Sequence, residues 1–238
     1  MKRFFIVIAC LFMTISTMQA ELGGYEKPVK FGFDLGVGYA NQWGDAYNAY
    51  DKNGIFAFSF GFDIDIHFRG ISFMEIGFDF ARKGCRIQGH EWINNALYID
   101  ENNGGGPWKL QKGDKTVANL YYLQMPILYG LEVPIDNKIA WKFLLGPYFS
   151  MGVSGDKRSD FSHYYPERPT VVSTFSKDYD YGFKRFDVGV KTGTGVEIGR
   201  ATYIVYYELG LFNTLVSKTY SDYKVRNNTL MGVVSFRF

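Results

Sequence analysis

From residue 31 onward the chain repeats one pattern eight times: every second residue is large and apolar, and those between are small, polar or charged. A period of two belongs to the extended strand, whose successive side chains point to opposite faces. In the first segment Phe31, Phe33, Leu35, Val37 and Tyr39 alternate with Gly32, Asp34, Gly36 and Gly38. The second sets Phe56, Phe58, Phe60, Phe62, Ile64, Ile66 and Phe68 against Ala57, Ser59, Gly61, Asp63, Asp65 and His67. Further segments cover 74–80, 121–133, 139–151, 186–198, 203–211 and 230–238. Eight antiparallel strands are predicted.

Period alone does not say which face is inside, but volume does. An eight-stranded barrel has an interior just wide enough for side chains to fill, and the 22 Phe and 18 Tyr of this chain cannot all enter it. The face rich in Gly and charge therefore goes inside. An outward band of aromatic and aliphatic side chains is stable only against lipid. The expectation is an all-β, eight-stranded, up-and-down antiparallel transmembrane barrel with a closed lumen, in contact with outer-membrane lipid.

The connections support this reading. Segments 40–54, 84–116, 154–182 and 214–227 are long and polar, and they alternate with minimal turns at 69-70, 134–137 and 199-200. Outer-membrane barrels have short periplasmic turns and longer extracellular loops, so both termini are expected in the periplasm. At the start, Lys2 and Arg3 precede an apolar run from Phe4 to Met13 and a small-residue end at Gln19-Ala20. That order is a secretory signal peptide, residues 1–20, leaving 21–238 as one barrel domain. Its removal takes away two of 26 basic residues and none of 24 acidic ones, so the mature chain is neutral. No basic stripe remains to engage nucleic acid, and Cys85 is left as the single cysteine, which excludes an internal disulfide.

Tyr122-Leu123-Gln124-Met125-Pro126-Ile127-Leu128, Leu145-Gly146-Pro147-Tyr148, Phe186-Asp187-Val188-Gly189 with Gly195-Val196-Glu197-Ile198, and the closing Val233-Val234-Ser235-Phe236-Arg237-Phe238 follow one another in order. In these the chain resembles the PorT-like outer-membrane β-barrel family. The resemblance implies an eight-stranded barrel, a link to protein secretion or envelope assembly with an envelope or secretion protein as partner, and no catalytic residues. The terminal Phe236 and Phe238 resemble the signal read by the barrel assembly machinery.

Within the barrel, Asp34, Asp63, Glu75, Asp79, Asp187, Glu197 and Glu208 are expected to meet Lys142, Lys191 and Arg237 in a lumen network, with Asp65 and Glu132 also inward. The acid excess implies carboxylates that are protonated, hydrated or near the rims. If Gly199-Arg200 is a two-residue hairpin loop, counting outward pairs Lys191 with Glu208. Pro126 and Pro147 fall mid-strand, each removing a ladder donor, and local bulges are expected to absorb them.

Outside the strands, Trp92, Tyr98, Trp108, Tyr164 and Tyr165 offer a loop-binding surface, while aromatic residues nearer strand ends serve as an interfacial girdle. His67 is read at a turn, and His90 and His163 on loops; His163 has Ser162 and Asp160 beside it, but sequence neighbours seldom form a working dyad. The run Asp100-Glu101-Asn102-Asn103-Gly104 carries calcium-type oxygen ligands without the rest of an EF-hand loop. No cofactor, metal or catalytic residue is assigned. Of three classes, a non-catalytic barrel supporting secretion or envelope assembly comes first through the resemblance, then a surface-binding barrel acting through its loops, then a lipid- or peptide-cleaving barrel.

Overall fold

The computed structural model describes residues 29–44, 51–68, 70–88, 115–160, 170–175, 183–215 and 224–238. The expected signal peptide and the five loop aromatics lie outside these residues, as do His90, His163 and the run 100–104. The strands are β1 (Val29–Trp43), β2 (Asp51–Asn53), β3 (Ile55–His67), β4 (Ser72–Gln88), β5 (Lys115–Asp136), β6 (Ile139–Asp160), β7 (Thr170–Ser173), β8 (Phe186–Ile198), β9 (Ala201–Gly210) and β10 (Arg226–Arg237). Two are accessory: β2 pairs with the far end of β4, and β7 with the far end of β6. The other eight are each antiparallel to their neighbours in sequence, and β10 closes on β1. The result is the closed eight-stranded barrel expected from the alternation.

The ladder fixes the geometry. Following pairs around the wall from Val29 through Ile66, Met74, Tyr129, Leu145, Thr192, Tyr207 and Leu230 returns to β1 at Tyr39, a stagger of ten residues, from 29 to 39. With a rise of about 3.3 Å per residue and about 4.8 Å between strands, that stagger over eight strands tilts them by about 41°. Each residue then climbs about 2.5 Å along the barrel axis, so about ten cover an apolar band about 25 Å tall.

Outward positions carry that band. Phe62 is 65% exposed, Phe78 50%, Phe143 48% and Val205 55%, while their neighbours Asp63, Asp79, Lys142 and Ile204 are buried. The shortest hairpin is as counted from sequence: Ile198 pairs with Ala201 around Gly199-Arg200, Gly199 adopts φ +64°, and Lys191 faces Glu208. Left-handed φ at the first loop position is what a tight hairpin requires and what glycine supplies without strain.

Two expectations fail. The prolines cause no bulge: pairing through Pro147 keeps one register from Ile139 to Met151, and pairing around Pro126 resumes in the same register. Gly77, opposite Pro126 on β4, leaves the space its ring needs. The bulges of β5–β6 fall instead between Tyr121 and Tyr122 and between Pro134 and Asp136. The long connections are also shorter than expected, because β1, β4, β5, β6 and β10 run on into them; β5 and β6 each reach 22 residues.

Candidate functional site

The lumen is filled in three layers. At the end bearing the short turns and the described termini, three cations and His67 meet five carboxylates. Lys142 Nζ lies 3.2 Å from Asp65 Oδ2, 3.5 Å from Glu132 Oε2 and 2.6 Å from Glu197 Oε2. Lys30 Nζ is 3.2 Å from Glu197 and 3.7 Å from Glu132, whose Oε2 also takes His67 Nε2 at 3.0 Å. His67 stacks on Phe73, whose ring also lies under the Lys142 ammonium.

Arg237 completes this layer from the penultimate position of the chain. Its guanidinium pairs with Asp63, lies 3.3 Å from Asp65 and 3.3 Å from Glu75, and so reaches from β10 past β1 to β3 and β4. It crosses β1 at Gly32, its ladder partner, where any Cβ would collide with the Arg237 guanidinium and the Asp63 carboxylate. Asp63, Asp65 and Glu75 hold oxygens within 4.8 Å of one another, a spacing that suits a metal ion. Arg237 is the cation that binds all three.

The middle layer is apolar and lopsided. Leu128, Leu144, Ile204, Tyr206, Met231 and Val233, from β5, β6, β9 and β10, form one buried cluster with Phe73 of β4. Inward positions at this level on β1, β3, β4 and β8 are glycines: Gly36, Gly61, Gly77 and Gly193, each with side chains in the space a Cβ would take. Bulk from these strands fills room that the glycines leave. Asp34 enters near this level, with its Oδ1 buried and without a hydrogen bond among the described residues.

The layer toward the long strands is polar again. Glu208 lies 2.9 Å from Lys83 Nζ and 3.6 Å from Lys191 Nζ, and accepts from Gln124 Nε2 at 2.6 Å. Lys191 also reaches Asp79 at 3.3 Å. Asp187 accepts from Tyr148 Oη at 3.3 Å and Asn227 Nδ2 at 3.0 Å, with Lys83 at 3.9 Å. Above it Phe175 packs edge-on against Tyr122, in space left by Gly152.

The structure thus brings nine of the ten lumen residues named from sequence into two ionic clusters and leaves Asp34 between them. Lys30, Lys83 and His67 were missed: the two lysines lie just beyond the segment ends read from apolar spacing, and His67 was read as part of a turn. Continuing the inward parity from Asp79 through Ala81 reaches Lys83, and stepping back from Gly32 reaches Lys30. These two cations offset much of the acid excess. Phe236 and Phe238 point outward, 45% and 70% exposed.

With this geometry belongs a sequence match: a family model described as outer membrane protein beta-barrel domain covers residues 18–216. The chain belongs to that family. It is therefore an outer-membrane β-barrel protein of a bacterial envelope. No curated protein sequence matches this outer-membrane barrel. Among solved structures it is similar to Ail of Yersinia pestis, determined with the heparin analogue sucrose octasulfate, at 12% identity over 88% of this chain and 99% of that one, TM-score 0.39. Neisserial surface protein A matches at 11% identity over 87% and 97%, TM-score 0.41. The translocator domain of the autotransporter NalP from Neisseria meningitidis matches at 10% identity over 100% and 98%, TM-score 0.33.

Proposed function

We propose that this protein is a non-catalytic, non-conducting surface barrel that presents the tall sheet made by β4, β5 and β6 to an extracellular partner, its termini facing the periplasm. The observation that carries this reading is the length of β5 and β6. Twenty-two residues climb about 55 Å along the axis against an apolar band of about 25 Å. On β6 the outward apolar positions run from Trp141 to Val153, and outward residues beyond are Ser154, Asp156 and Arg158. Strands that stay paired past the lipid give a partner a rigid platform, while the filled lumen leaves no path for solute. The orientation rests on the rule that short turns face the periplasm. Non-catalysis is supported by His67, the one histidine among the described residues, which is buried against Glu132 and Phe73.

Photo-crosslinking residues placed at Gln88 and Lys115, paired at the far end of the sheet, test the platform in whole cells. Specific adducts from these positions are expected. A second reading, a scaffold for protein secretion or envelope assembly, is supported by the PorT-like segments, which lie mainly in the membrane-embedded wall. Adducts confined to the lipid face at Phe143 or the turn at Asn137 would favour it. Protease added to intact cells tests the orientation: cleavage confined to 134–137 or 199-200 would reverse it.

A further inference from the structure

The outward face changes character on three adjacent strands. On β4, Phe78 and Phe80 give way to Arg82 and Arg86; on β5, Leu123 and Tyr121 give way to Asn119; on β6, Met151 and Val153 give way to Ser154, Asp156 and Arg158. Below the line Phe80 stacks on Tyr121 with centroids 5.9 Å apart, as an aromatic belt does at a membrane interface. Above it the ladder sets Arg86, Val117 and Arg158 in one row, so the two arginines stand about 10 Å apart across one intervening strand. Both are exposed and make no hydrogen bond or ion pair among the described residues. Arg82 sits nearest the lipid and is held by Asn119 Oδ1 at 2.6 Å, which in turn binds Asp156 at 2.9 Å. Asn119 thus engages Asp156, an acid on this face.

From this placement we infer that Arg82, Arg86 and Arg158 form a docking site for the phosphate groups of a phosphorylated glycolipid in the outer leaflet, the acyl chains lying on the apolar wall below. Arg82 stands at the level where headgroups begin and Arg86 about 10 Å farther along the axis, with Arg158 beyond, so the three guanidiniums match a phosphate-bearing headgroup in charge. A guanidinium binds phosphate through a two-pronged fork that an ammonium lacks. The site depends on the orientation proposed above only for the leaflet it meets.

The test uses the detergent-solubilised full barrel titrated with bis-phosphorylated lipid A, which removes orientation from the outcome. The Arg82→Gln/Arg86→Gln/Arg158→Gln variant, its fold checked by heat-modifiable gel mobility, is expected to bind about 100-fold more weakly, about fivefold per cation near an anionic surface. Lipid A stripped of phosphate is expected to bind wild type and variant equally weakly, and an all-lysine variant to fall between them. Equal affinity of wild type and triple variant for phosphorylated lipid A would overturn the site. Competition by inorganic phosphate at matched concentration would assign the arginines to soluble phosphate, and arginine-dependent binding of a soluble sulfated polysaccharide without lipid A binding would assign them to a glycan. Either result overturns the lipid assignment.

Discussion

A single side chain in the lumen holds more than its ladder partner. Lys191 and Glu208 are directly opposed, but Glu208 lies closer to Lys83. Removing one partner of a buried ion pair strands the other at a cost of about 3 to 5 kcal/mol. Glu208→Ala is therefore expected to destabilise by at least that amount, read as a shift in urea unfolding in lipid vesicles. Lys191→Met added to it should restore only part of the loss, and Lys83→Met is needed for the rest; full recovery with Lys191→Met alone would show Lys83 to be indifferent. Gly32 presents the opposite case, a residue defined by the space it leaves. Gly32→Ala is expected to cost about 1 to 3 kcal/mol, the range for overpacking, and to cost less when Arg237→Met has already emptied that space. The same unfolding assay reads the difference. Most lumen charges were legible because parity carries across a strand whatever the residue. Lys83 and Lys30 were not, since the segment ends were drawn where apolar residues stop, and His67 was not, since a polar residue beside a turn looks solvated.

Strands extend that distinction between what lipid writes and what hydrogen bonding writes. Over the bilayer the outward face must be apolar, and the eight segments read cleanly. Past the bilayer nothing compels that face, so Arg82, Arg86, Asn119 and Arg158 erase the signal although the ladder continues. Expected loops thus became strand. The bulge that makes Val153 the extra residue adds to this, since it switches the outward parity of β6 from odd to even numbers. Depth within the band is testable on the same strand. Leu145 lies nearer the middle of the outward apolar run Trp141 to Val153 than Phe143 does. Leu145→Arg is expected to cost about 2 to 4 kcal/mol and Phe143→Arg less, following the depth dependence of cations on the lipid face. An equal or inverse order in vesicle unfolding would misplace the bilayer along the barrel.

Taken whole, the barrel is plugged at its waist by residues from four strands and closed toward either end by side-chain ion pairs. No steady conductance is expected in planar bilayers. Replacing Leu128, Leu144 and Ile204 together with Ala should admit water to the waist and raise proton leak before solute passes, as read by dye-loaded vesicles. Solute swelling in the wild-type protein would contradict the closed lumen. The stagger of ten residues and the closure were legible only in part, because alternation specifies faces, while register depends on turns such as Gly199-Arg200 and on partners far apart in sequence. The position of Arg237 joins these scales. It carries the counter-charge for Asp63 and Glu75 across the seam where the last strand closes on the first. A wall that parted at that seam would leave an acidic hollow open to water, so the join between first and last strand is written in charge as well as in hydrogen bonds.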